Sequence, residues 1–198
     1  MIKRRYVLRE RAQRQDETRA RIVEAAVALH GSVGPRATTV SAIAERANVQ
    51  RLTVYRHFPD EASLYAACSA HWTAINPPPD PAIWSQLREP AARARAALLA
   101  LFAYYRRNER MFTVLFRDQA EVPAMAAPMK AMQGYVDGIA AGLLEAWPKR
   151  ARSEALATTV AHCVRFGTWQ SLNGTGLEDR ALADLCVRWL EAATSAAR

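Results

Sequence analysis

The chain has 198 residues, 51% of them hydrophobic, and a formal net charge of +8, enough length for one domain or two small ones with a sizeable core. The charge is uneven: 12 Lys and Arg stand against 6 Asp and Glu in residues 1–60, and 15 against 13 in residues 61–198, so a phosphate-bearing partner is expected at the N-terminal end. The longest apolar run, Ala96 to Tyr105, is too short to cross a bilayer, and no apolar stretch follows the first basic residues as a targeting peptide requires, so the expectation is a cytoplasmic chain with no membrane partner.

Residues 1–14, with Lys3, Arg4, Arg5, Arg9, Arg11 and Arg14, read as a flexible basic arm that either reaches phosphate and minor groove or stays solvated. Asp16 suits the cap of a first helix whose Ile22, Ala25, Ala26 and Leu29 form a buried stripe ending near Gly31 and Gly34. Thr39 can cap a second helix. Val40, Ile43, Ala44 and Ala47 fall at i, i+3, i+4 and i+7 and leave Ser41, Glu45 and Arg46 outside the apolar stripe. The chain must then reverse between Ala47 and Gln50, which favours a residue tolerant of a left-handed backbone; Asn48 is one.

A third helix follows, anchored by Val49, Val54 and Phe58, with Gln50, Arg51, Leu52, Thr53, Tyr55, Arg56 and His57 left to project away from the core. A recognition helix needs this pattern: hydrogen-bonding side chains early for base edges, hydroxyl or cationic groups around them for phosphates. Arg51 suits guanine O6 and N7, Gln50 suits adenine N6 and N7, and Leu52 suits a thymine methyl. Thr53, Tyr55, His57 and, from the preceding helix, Thr39 suit phosphate oxygens. Two ordinary solvent-facing helices would show the same periodicity, so periodicity alone does not decide between the readings.

The run Thr38-Thr39-Val40, Ile43-Ala44, Ala47, Val49 and Thr53-Val54-Tyr55-Arg56-His57-Phe58 resembles the N-terminal domain of the TetR family of transcriptional regulators, in detail from about Thr18 through Leu64. The family commonly has Gly where Asn48 stands and a phosphate-contacting Lys near Glu61; here Asp60 and Glu61 start the next helix instead. The resemblance implies an all-α protein. A three-helix DNA-binding domain over 15–60, its helix-turn-helix at about 39–58, would be followed by a six-helix ligand-binding and dimerisation domain over 61–198.

From Asp60 the expected fourth helix carries Leu64, Ala67, Cys68 and His71 on one face until Asn76 and Pro77-Pro78-Pro79-Asp80-Pro81 break it, where the first domain ends. Further helices are expected over 91–108, over 110–119, up to Trp147, over 154–172 and over 179–193, giving nine in all. In the last, Leu182, Leu185, Cys186, Trp189, Leu190 and Ala193 make one stripe of nearly four turns. Plain core explains such a stripe; the TetR resemblance implies that the last two helices pair two copies in a four-helix bundle, so that a homodimer meets a palindromic double-stranded operator.

The resemblance also implies a small-molecule effector site among the C-terminal helices, for which Phe102, Tyr105, Phe112, Phe116, Met132, His162, Phe166 and Trp169 are the candidate lining. With few charges nearby, the effector is expected to be largely apolar. No metal or other cofactor is expected. Catalysis is not expected either: the four histidines lack metal-ligand spacing, no phosphate loop or nucleophile elbow is present, and His162 and Cys163, adjacent on a helix, point about 100° apart. Cys68, Cys163 and Cys186 fit reduced thiols. Taken together the sequence reads as a ligand-responsive repressor; a constitutive or architectural DNA-binding protein, or an activator without an inducer, is the alternative.

Overall fold

The computed structural model describes residues 2–195, with side chains over 9–194; Lys3, Arg4 and Arg5 of the expected arm therefore lie outside the described side chains. Among the described residues the chain is all-α, with no strand and ten helices: α1 (Ile2–Val33), α2 (Val40–Arg46), α3 (Arg51–His57), α4 (Glu61–Ile75), α5 (Ala82–Ser85), α6 (Pro90–Asp118), α7 (Ala126–Ala146), α8 (Glu154–Cys163), α9 (Phe166–Asn173) and α10 (Asp179–Ser195). Two single 3₁₀ turns, Pro123–Met125 and Lys149–Ala151, complete the elements.

Four expectations change. The backbone of the arm is helical, so α1 starts at Ile2 and Asp16 is an interior residue rather than a cap; local bonds from Gln13 to Glu17 (3.0 Å) and from Thr18 to the Arg14 carbonyl (2.8 Å) support this exposed stretch. The helices expected at 91–108 and 110–119 are one, because the amide of buried Asn108 donates back to the Tyr104 carbonyl (2.9 Å) and so satisfies its polarity within the helix. The helix expected over 154–172 breaks instead at Val164–Arg165; the freed carbonyls of His162 and Ala161 accept from Thr168 Oγ1 (2.6 Å) and Arg165 Nε (3.2 Å). A short helix, α5, follows the proline run, packing Trp84 into the core.

Residues fall into two compact units, Met1–Pro77 with Thr113–Met129, and Pro78–Phe112 with Lys130–Arg198. In the first, α1 packs on α2 and α4, and α2 on α3. Its core holds Ile22, Ala26, Ile43, Ala44, Val54, Phe58, Leu64 and Cys68, all at most 5% exposed, with Met125 from the 3₁₀ turn beside α4. Each large side chain so buried contributes about 1.5–3 kcal/mol. In the second, α10 packs on α8 and α9. Leu182, Ala183, Cys186, Val187 and Leu190 of α10 face inward, while Leu185 and Trp189 stay half-exposed. No helix among the described residues is long and apolar enough to cross a membrane.

Candidate nucleic-acid interface

Thr39 takes an extended backbone (φ −101°, ψ 154°) and its hydroxyl oxygen accepts from the Ala42 N–H at 3.1 Å, satisfying one of the donors that open α2. That bond uses a lone pair and leaves the hydroxyl proton available to an acceptor outside the protein. After α2 the chain turns through Asn48 at φ 51°, the one positive-φ residue other than glycine among the described residues. Around it the backbone is closed by Ala47 N to Ile43 O (2.9 Å), Asn48 N to Glu45 O (3.0 Å) and Val49 N to Ala44 O (2.9 Å). A left-handed residue costs Asn little and a β-branched one much, which is why the sequence marks the turn here.

Gln50 is the N-terminal flanking residue of α3 (φ −77°, ψ 148°), and its side chain makes no capping bond. An amide in that position normally competes for the orphan N–H groups; here it projects from the opening of the helix, exposed. Arg51, Leu52, Tyr55 and Arg56 are also exposed, Leu52 at 77%, whereas Thr53 and His57 are half-buried. The inner face is closed by Val54 (1%) and Phe58 (3%). Polar groups thus gather on one side of a seven-residue helix whose other side is core.

Several contacts that hold this element were not legible beforehand. Arg21 of α1 donates to the carbonyl of Ala47 in the turn (3.3 Å), and the Arg19 guanidinium lies 4.6 Å from the Phe58 ring centroid at the far end of α3. His57 has its Nε2 buried without a partner, and desolvation followed by the charges of Arg56 and Arg19 lowers its pKa. His57 therefore stays neutral more readily than an ordinary imidazole. On the outer face, Arg51 Nη2 donates to Tyr55 Oη at 3.0 Å with its guanidinium 5.6 Å from that ring.

The loop between α1 and α2 is gripped from the end of α6. Asp118, 2% exposed, accepts from the Arg36 backbone N–H (3.1 Å) and from the fork of Arg117, which holds its carboxyl below the usual range. Arg117 also donates to Val33 O (3.1 Å), and Arg36 pairs with Glu121 at 2.8 Å. Gly34 sits beneath them at φ 97°, where a β-carbon would collide with Arg117 and Asp118. No local pattern announces a pairing across 82 residues.

In the second unit, Tyr105, Phe112, Phe166 and Trp169 form one aromatic cluster with centroids 5.3–6.1 Å apart. Tyr105 Oη donates to Val164 O (2.7 Å), and Trp169 Nε1 donates to Asp179 (3.1 Å), itself held by both ends of the Arg106 fork (2.9 and 2.6 Å). Phe102 is fully buried and Met132 half-buried in the same unit. Of the other two candidates, His162 is exposed at the end of α8, and Phe116 is half-buried on the part of α6 that belongs to the first unit.

Residues 22–68 match the model of bacterial regulatory proteins of the tetR family. The fold is similar to that of a TetR-like transcriptional regulator from Rhodococcus sp. RHA1 (21% identity, 90% of this chain and 96% of that one, TM-score 0.61). It is also similar to a putative fatty acid metabolism regulator of Clostridium perfringens (21%, 86% and 97%, TM-score 0.64) and to RolR in complex with resorcinol (21%, 94% and 95%, TM-score 0.53). No curated protein matches the chain. At these identities the likeness to solved structures is one of fold.

Proposed function

We propose, from a chain whose residues 22–68 match the tetR family of bacterial regulatory proteins, a repressor that binds a palindromic operator as a homodimer and is released by a small, largely apolar molecule. One observation carries the DNA-binding part: α2 and α3 are joined through a left-handed Asn48, and α3 opens with Gln50 and Arg51 exposed and unused for capping. Gln50, Arg51 and Leu52 read bases; Thr39, Thr53, Arg56 and His57 hold phosphates. Tyr55 stands apart, since its hydroxyl oxygen accepts from Arg51 and so ties it to a base-reading group.

Two copies joined through α8 and α10 present two α3 helices to half-sites about one helical turn apart. Leu185 and Trp189, one turn apart and half-exposed on α10, support that pairing. The effector is received among Tyr105, Phe112, Phe166, Trp169, Phe102 and Met132, where edge-to-face rings suit an aromatic guest; the resorcinol bound by RolR supports that chemistry. The protein acts by binding rather than by catalysis, in a reducing cytoplasm, and uses no cofactor.

Selection of duplexes from a random pool, followed by titration of the winner with and without small phenols, tests the reading. Operator affinity should fall about 5- to 150-fold with effector, the range of a 1–3 kcal/mol coupling. Equal affinity in both states favours instead a constitutive DNA-binding protein, for which the packed aromatic cluster is ordinary core. Arg51→Ala should cost about 1–3 kcal/mol and relax preference at a single position of each half-site.

A further inference from the structure

The outer face of α3 contains a bonded pair rather than two independent contacts. Arg51 is the first residue of the helix and Tyr55 lies one turn later, so their side chains share a face. The guanidinium donates to the phenolic oxygen at 3.0 Å and lies 5.6 Å from the ring centroid. Both residues are exposed, Tyr55 at 42%, so the contact is not forced by packing. An unrestrained arginine samples many rotamers, and ordering it on a base edge costs conformational entropy that a pre-formed contact has already removed.

The hydroxyl accepts from Arg51 through a lone pair, which leaves its own proton to donate to a phosphate oxygen. A single tyrosine oxygen therefore joins a backbone anchor to a base-reading group. Bidentate reading of guanine demands a guanidinium held in one plane, and a partner fixed by both a hydrogen bond and a ring face limits how that plane turns.

We propose that Tyr55 is a positioning residue for sequence discrimination: it sets the guanidinium of Arg51 for base reading, rather than serving as a phosphate contact of no sequence preference. The inference rests on the DNA-binding reading above. Its test uses the full-length protein and the selected operator, together with duplexes changed one base pair at a time. Tyr55→Phe, which keeps the ring and loses the oxygen, should lower discrimination about three- to tenfold at the same base pair that Arg51→Ala relaxes, and leave other positions unchanged. Tyr55→Leu, which also loses the ring, should approach Arg51→Ala there. Adding Tyr55→Phe to Arg51→Ala should cause no further loss of discrimination, since a positioning residue has nothing left to position.

Tyr55→Phe weakening all duplexes by one factor, with every base preference intact, would overturn the inference while leaving the DNA-binding reading in place. An equal loss of discrimination in the presence and absence of Arg51 would also overturn it. If the unaltered protein selects no sequence from the pool, the reading itself falls and the inference with it.

Discussion

His30 shows how much one side chain of the first unit is asked to tolerate. It is 5% exposed and stacks on Tyr65 with centroids 4.9 Å apart and planes 4° from parallel. Burial lowers its pKa from 6.5 to about 4, because the charged ring would lose its hydration. Above pH 6.5 folded and unfolded chains both hold it neutral. Between about 6.5 and 4 the unfolded chain takes up a proton that the folded one refuses, so stability falls with pH through that window. The loss from pH 7.5 to pH 5 should be on the order of 2 kcal/mol. His30→Phe, which keeps a stacking ring, should flatten this part of the profile; denaturant midpoints at the two pH values, compared with the parent, decide it. Nothing in the sequence singled out His30, since its partner lies 35 positions away, whereas Asn48 was legible as a turn because the backbone demand there is local.

Among the elements, α2 and α3 were the most legible. Their apolar positions recur at helical spacing, and Thr39 and Asn48 mark the two points where the backbone must change direction. The break between α8 and α9 was hidden because neither proline nor a left-handed glycine makes it; Thr168 and Arg165 stabilise it by hydrogen bonds that reach back to α8. The continuity of α6 was hidden for the opposite reason, as Asn108 looks like a stop but bonds within the helix. The connection from α1 to α2 depends on a similar long-range contact. Gly34→Ala should destabilise the first unit by about 2–4 kcal/mol, since it adds positive-φ strain to the displacement of a buried carboxylate. An urea midpoint unchanged from the parent would show that Arg117 and Asp118 yield without cost.

At the scale of the whole molecule, the all-α class and the two helices joined at Asn48 could be read from pattern alone, while the aromatic candidates could not be sorted. Spacing places Tyr105, Phe112, Phe166 and Trp169 on helix faces, but only packing shows them in one cluster, with His162 at the surface. The 29 residues of α6 are divided between the two compact units. The first unit is consequently not a removable cassette. A fragment cut after Pro77 would retain every exposed side chain of α3 yet forfeit Thr113–Met129, stripping Met125 from α4 and Asp118 from Arg36. Such a piece should melt well below the intact chain in circular dichroism, and supplying 113–129 through a short tether should restore much of the difference.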